Sequence, residues 1–283
     1  MRIEKREDKC SECMLCVRDC VMGVWRIVDG KSSPINIELC NHCSHCLAIC
    51  PCDAISHDGL KKEEIAGVNR GNLNPDVYRD IILSRRSIRQ FKNEPVPRGV
   101  IEQVLDLARY APTATNNQNV GYIVITDKRL IEETANKMFG LANCLYNKTK
   151  KGIGRLMVNL TGLANNPYLK VMDYVQEQNA QNGRDFILYN APVLILIHAP
   201  KRIPFASDNC NIAATTIINY THSLGLGTCF MGFITIALRY SGKLRRKLGV
   251  SKDRRVYATL VMGYPAYRHT NTVSRKKPEV QWL

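Results

Sequence analysis

Apolar residues recur at helical spacing over Ile101, Val104, Leu105 and Ala108, the i, i+3, i+4, i+7 signature of one buried helix face, and Pro112 stops that helix. Asn74-Pro75 has the form of an N-cap followed by proline at the first helical position. A helix beginning at Asp208 sets Ala213, Ile217, Tyr220 and Leu224 on one face and Ala214 and Ile218 on another. Being apolar nearly all round, it is expected at the centre of its domain, or at a subunit interface. Residues 121–126, 193–197 and 256–262 are short β-rich runs, and few strands among helices predict an α+β body. Residues 141–184, rich in Asn and Lys with weak periodicity, read as a mobile lid or insertion. Residues 59–74 are polar and broken by glycines. The expected layout is therefore a head over 1–60, a linker over 61–74 and a body over 75–283.

The head is written in cysteine. Cys10-x2-Cys13-x2-Cys16-x3-Cys20 is followed by Cys40-x2-Cys43-x2-Cys46-x3-Cys50-Pro51, each cysteine recurring thirty residues on. Structural zinc calls for two pairs with a wider gap between them. Three thiolates spaced by two residues instead suit one corner of an iron–sulfur cubane, and the fourth lies too far along to close the same corner. The segment resembles two-cluster ferredoxins. That resemblance implies one [4Fe–4S] cluster on Cys10, Cys13, Cys16 and Cys50, and another on Cys40, Cys43, Cys46 and Cys20. Val21 stands where the pattern usually has proline, which changes a backbone preference and not a ligand. Cys52 reads as a small packing group, and His42 and His45 as surface residues.

Composition changes the picture in three places. Twelve cysteines without an apolar leader after Met1 favour metal binding over disulfides and a cytoplasmic setting. The stretch between Asp208 and Arg239 carries no charge, but Asn211, Asn219, His222 and three glycines interrupt it, favouring a buried helix with its exit turn over a membrane span. Formal charge is +15, yet residues 1–60 hold seven Lys/Arg and nine Asp/Glu, so 7 − 9 = −2 and the remainder carries +17. An acidic head docking on a basic body, or attraction of anionic partners, follows from that asymmetry. No zinc finger, RNP-type aromatic segment or dense arginine run points to nucleic acid.

The chemistry of the body centres on Arg85-Arg86-Ser87-Ile88-Arg89-Gln90-Phe91, three guanidinium groups and a hydroxyl within five residues, the donor set a phosphate needs. Taken alone, the cluster reads equally as a solvated basic face. It is followed in order by Ala111-Pro112-Thr113-Ala114-Thr115-Asn116-Asn117-Gln118, by 225–232 (Gly-Leu-Gly-Thr-Cys-Phe-Met-Gly), and by Gly263-Tyr264-Pro265 before a basic tail. This order resembles the nitroreductase family of FMN proteins over residues 75–283. The resemblance implies a homodimer with an FMN-dependent nitroreductase-like fold and a flavin at each of two interface sites. It places Arg85, Arg86, Ser87 and Arg89 on the phosphate, ribityl chain and pyrimidine edge, and Pro112, Thr113 and Asn116 on the partner subunit's flavin. Met231 and Gly232 would pass the N5 edge of the ring, where a backbone N–H steadies the reduced state. Arg275 and Lys277 would be a late basic pair on the phosphate, with Lys276 standing in if the register slips by one. Asn119-Val120-Gly121 departs from the family's wall of proline and an aromatic residue near the active-site rim. Gly225 and Gly227 also read as a helix C-cap; without a third fingerprint glycine or a preceding strand they do not form a dinucleotide motif. Cys144, Cys210 and Cys229 read as packed thiols, the less favoured reading of Cys229 being a thiol near the flavin that tunes the ring.

The expected function is an iron–sulfur flavoprotein oxidoreductase. Electrons would pass from two [4Fe–4S] clusters to FMN and on to a small acceptor such as a nitro compound, quinone or enone. The donor would be a redox protein acting through the head, or NAD(P)H acting on the flavin directly. A non-catalytic electron carrier and a redox sensor are the competing readings, and no catalytic side chain stands out.

Overall fold

The computed structural model describes residues 1–150, 152–160, 169 and 171–283. It divides into two compact units: Met1–Asn74 with Thr113–Asn117, and Pro75–Pro112 with Gln118–Leu283.

The first unit carries two short antiparallel ribbons. Strand β1 (Ile3–Lys5) pairs with β4 (Ile55–His57), and β2 (Trp25–Val28) pairs with β3 (Lys31–Pro34). One-turn helices α1 (Leu15–Asp19) and α2 (His45–Ile49) each begin one residue before the third cysteine of a run. The thirty-residue repeat of the sequence returns in the backbone: Glu12 and His42, Met14 and Ser44, and Gly23 and Asp53 all have positive φ. Left-handed backbone at a non-glycine residue costs about 1–2 kcal/mol, so matched outliers in both halves mark a shape imposed on the loops. The buried apolar core here is small, only Ile3, Val24, Trp25 and Ile55, with Cys16, Cys20, Cys40, Cys46 and Cys50 packed against it. So small a core does not stabilise a unit of this size alone, and such domains are ordinarily completed by a metal or by disulfides.

The second unit is built on an antiparallel sheet in the order β5–β6–β8–β7, with β5 Gly121–Ile125, β6 Val193–Pro200, β7 Gly227–Phe230 and β8 Arg254–Gly263. Strand β6 opens with an unbroken apolar run over 193–197 because both of its faces are covered. Val193, Ile195 and Ile197 join one core and Leu194 and Leu196 the other. Helices α3 (Pro75–Ser84) and α4 (Arg98–Ala108) precede the sheet in the chain, α4 burying Ile101, Val104 and Ala108 as its spacing requires. Helix α8 (Ala206–Ser223) buries Ala214, Ile217 and Ile218 in the core that α4 joins, and Ala213 is buried as well. Helices α9 (Gly232–Tyr240) and α10 (Gly242–Lys247) bury Ile234, Leu238 and Leu244 in the second core.

Most of the described part of the stretch 141–184, read from the sequence as a lid or insertion, is helical: α5 (Lys128–Lys150), α6 (Gly152–Leu160) and α7 (Met172–Asn182). Its apolar pattern is weak because much of these helices faces water. Tyr146 Oη (2.9 Å) and Lys150 Nζ (2.5 Å) of α5 both reach the Asp173 carboxylate of α7. Lys151, residues 161–168 and Lys170 of that stretch lie outside the described residues. Cys144, expected to be packed, is exposed on α5, whereas Cys210 and Cys229 are buried. No helix among the described residues is long and apolar enough to cross a membrane.

A register shift between Ile197 and His198 turns the histidine towards Arg254, whose Nε donates to His198 Nδ1 at 2.5 Å. Burial first, then the Arg254 cation, push the His198 pKa down to about 4. The folded chain therefore binds fewer protons here than the unfolded chain between about pH 4 and 6.5, so stability is full above pH 6.5 and falls as pH drops towards 4. Solvent screening at this half-buried site keeps the loss to on the order of 2 kcal/mol. Thermal melts should show a midpoint that rises from pH 5 to pH 7, with a shallower rise in His198→Gln, whose amide oxygen still accepts from Arg254.

Candidate functional site

The eight cysteines of the two runs sort into two sets. Cys10, Cys13, Cys16 and Cys50 line one small cavity of the first unit, together with Cys52, and Cys20, Cys40, Cys43 and Cys46 line another. The last cysteine of each run thus faces the cavity of the other run. Backbone N–H groups approach the sulfurs: Ala54 N–H donates to Cys50 Sγ at 3.3 Å and His42 N–H to Cys40 Sγ at 3.4 Å. Burial pushes the Cys46 thiol up to about 11, against smaller help to the thiolate from the Trp25 indole. Trp25, 1% exposed, has a buried indole nitrogen with no hydrogen-bond partner. Cys52 Sγ lies 3.6 Å from Ser11 Oγ, while His42 and His45 are exposed, His45 pairing with Asp19 at 3.1 Å. Among the described residues no group of three His, Cys, Asp or Glu is arranged to hold a single metal ion.

In the second unit, the segment after α3 is stitched along the edge of the sheet. Ser87 forms a parallel bridge with Thr228 of β7, and Ile88 N–H donates to Thr228 O at 2.9 Å. Further on, Lys92 N–H donates to Tyr264 O and Ala266 N–H to Gln90 O, both at 2.9 Å. Three stretches far apart in sequence, 85–91, 225–232 and 263–265, are thereby brought together. Gly227 allows the approach, since a Cβ there would stand 2.4 Å from Ile88 Cγ1.

The three arginines do different work. Arg86 spends its guanidinium on carbonyls, Nη1 on Leu83 (2.8 Å) and Arg85 (2.6 Å) and Nη2 on Asn271 (2.8 Å), while its Nε is buried without a partner. Arg89 is exposed, with the buried Cys229 thiol and the Tyr189 hydroxyl close by. Burial pushes the Cys229 and Tyr189 pKa values up, with Arg89 a smaller opposing influence on both. Arg85 is half-buried, and with Arg86 it adds to the burial that pushes the His222 pKa down. Ser84 Oγ gives its hydrogen to Asp80 O at 2.6 Å, so at the 2.7 Å contact with His222 Nε2 the imidazole is the donor. Sequence reasoning missed His222 and Tyr189 as neighbours of this cluster, because no local pattern marks a side chain that only tertiary folding delivers.

Other expected positions fare unequally. Met231 is buried and its N–H donates to Thr259 O at 2.8 Å, so that amide is already committed to the fold; Gly232 opens α9 and is exposed. Gly225 follows the C-terminus of α8 with φ +77, as a C-cap should, whereas Gly227 begins a strand that the glycine pattern had hidden. Pro112 belongs to the second unit, but Thr113 and Asn116 belong to the first, where Asn116 Nδ2 donates to Asn41 O at 2.9 Å. Arg275 Nη1 donates to its neighbour Ser274 O, and among the described residues no bond joins Arg275 or Lys277 to the Arg85–Arg89 segment. The tail beyond β8 forms no helix or strand that would aim them there.

A four-stranded antiparallel sheet covered by helices on both faces, with an arginine-bearing segment added along β7, defines an α+β body of a recognisable class. The chain belongs to the nitroreductase family, which residues 82–264 match. It is 24% identical over 191 residues to a Methanothermobacter thermautotrophicus protein provisionally named NADH dehydrogenase/NAD(P)H nitroreductase, a match covering 66% of this chain and 76% of that protein. It is 23% identical over 201 residues to the chloronitrobenzene nitroreductase of Comamonas testosteroni, covering 65% and 85%. Its fold resembles a nitroreductase with bound FMN from Desulfitobacterium hafniense, with TM-score 0.55 and 20% identity over 73% of this chain and 97% of that one. The family match begins beyond the cysteine-rich head.

Proposed function

We propose that this chain is an FMN-dependent oxidoreductase of the nitroreductase type whose head carries two [4Fe–4S] clusters that feed electrons to the flavin. The observation that carries the iron–sulfur part is the sorting of eight cysteines into two sets of four, each lining its own cavity. Repeated left-handed loops and an apolar core too small to stand alone support it further. The donor set fits FMN at the other end. Arg85, Ser87 and Arg89 suit a phosphate, and the unpartnered Nε of Arg86 is a buried donor lacking an acceptor. When bound, the clusters would supply one-electron relay and the flavin two-electron reduction of a small acceptor such as a nitro compound, quinone or enone. The protein's part is to grip the phosphate, fix the ring and supply thiolate ligands. An exposed groove lined by Tyr78, Ile81, Leu107, Ile212 and Tyr220 supports pairing of two copies as a homodimer.

Anaerobic purification followed by iron, sulfide and flavin analysis tests this directly, with about eight iron, eight sulfide and one FMN per chain expected. Stopped-flow reduction then separates the electron donors. Flavin reduction should follow cluster reduction by a low-potential protein donor or dithionite, with two electrons delivered per flavin. Fast reduction by NAD(P)H, with reduced clusters leaving the flavin oxidised, would remove the relay role. Absence of turnover with every small acceptor would leave a carrier or a sensor instead.

A further inference from the structure

The two cysteine sets are not equivalent, and His57 is the reason. It lies on β4, 7% exposed, with its Nε2 3.4 Å from Cys40 Sγ. On the other side of the ring, Gly59 N–H donates to His57 Nδ1 at 3.0 Å. A nitrogen that accepts from an amide carries no hydrogen, so the proton of this neutral imidazole sits on Nε2 and points at the sulfur. Gly59 packs closely against the ring. A Cβ there would stand 3.1 Å from His57 Cε1 and 2.9 Å from His42 Cδ2.

Trp25 adds to the asymmetry, because its partnerless buried indole N–H stands near the sulfur of Cys46 in the same set. Around the other set the comparable side-chain donor is spent. Ser32 Oγ lies near Cys16 but donates to Glu12 Oε2 at 3.1 Å. Glu12 itself is paired with Lys5, which also meets Glu7, so two carboxylates share one ammonium beside that set. Backbone N–H groups serve both sets, Ala54 N–H on Cys50 and His42 N–H on Cys40, with further backbone donors near Cys16 and Cys46, so what distinguishes the second set is its side-chain donors. An N–H pointing at a ligating sulfur stabilises the more negative, reduced cluster and raises its potential.

We propose that His57 is a positioning residue that makes the Cys20–Cys40–Cys43–Cys46 set the higher-potential of the two iron–sulfur sites, and therefore the one that holds the electron first. This rests on the iron–sulfur reading above. The test is an EPR-monitored redox titration of the full-length, anaerobically purified protein, with iron and sulfide counted in every sample. Wild type should titrate in two waves. His57→Phe keeps the ring and its packing but removes the N–H, and should move only the higher wave, downward. The expected size is about a tenfold change in the reduced-to-oxidised ratio at fixed potential, which is about 59 mV for a one-electron couple. His57→Gln, which retains an amide N–H, should stay near wild type, and Gly59→Ala should behave like His57→Phe. Movement of the lower wave, of both waves or of neither, with iron content unchanged, overturns the inference and leaves the cluster reading standing. Wild-type protein without iron and sulfide overturns both.

Discussion

Replacing Arg89 with glutamine is expected to give a folded chain that has lost most of its flavin. Arg89 is exposed beside Ser87 and Cys229, and to its neighbours Cys229 and Tyr189 it is only a minor influence beside their burial. A guanidinium–phosphate bond contributes about 1.5–3 kcal/mol, so FMN should bind roughly 10- to 150-fold more weakly while the melting midpoint of the apoprotein barely moves. Arg86→Gln should do the reverse. Its donors hold the carbonyls of Leu83, Arg85 and Asn271, tying the end of α3 to the tail beyond β8. Losing that knot should lower stability by about 1–3 kcal/mol and, with the buried Nε donor gone as well, weaken FMN less than Arg89→Gln does. Flavin fluorescence titration beside thermal denaturation separates the two. Equal loss of flavin and of stability in both variants would mean that the segment is a structural belt with no anion to hold.

The two arginines look alike in sequence and differ only in what surrounds them, and the same contrast runs through the molecule. Features set by local constraint were legible. Ligand spacing is local, so the cysteine runs marked the head, and their thirty-residue period reappears in paired left-handed residues such as Met14 and Ser44. The doubly covered strand β6 was legible too, because it must be apolar on both faces that meet protein, and so was the buried face of α8, although its Ile212 and Thr215 are exposed. Strand β7 was not. Its four residues follow Gly225-Leu226 and look like the tail of a turn, and what makes them a strand is pairing with β8 and with the segment around Ile88, both far away in sequence. Helices α5 and α7 hid for a different reason: their exposed faces carry no apolar stripe, and contacts such as Tyr146 to Asp173 help to tie them together. His222 reaches the arginines from the last turn of α8, a neighbour that no spacing rule announces.

The strongest test of the head asks which cysteines act as one unit. Cys50→Ala should cost one cluster's worth of iron, about four atoms of eight. Adding Cys13→Ala should cost almost nothing more, since both thiols face the cavity they share with Cys10 and Cys16. Adding Cys43→Ala instead should strip the protein, because Cys43 faces the other cavity with Cys20, Cys40 and Cys46. If each run ligated its own cluster, Cys43 and Cys50 would belong together and the two double variants would exchange behaviour. Stability should track iron. With only Ile3, Val24, Trp25 and Ile55 buried in its apolar core, the head has little else to hold it, so the iron-free double variant should lose the protease resistance of residues 1–60 while 75–283 survives. Iron and sulfide analysis with limited proteolysis reads both effects in one preparation. An intact head in the iron-free variant would show that packing suffices, and the eight cysteines would then need another explanation.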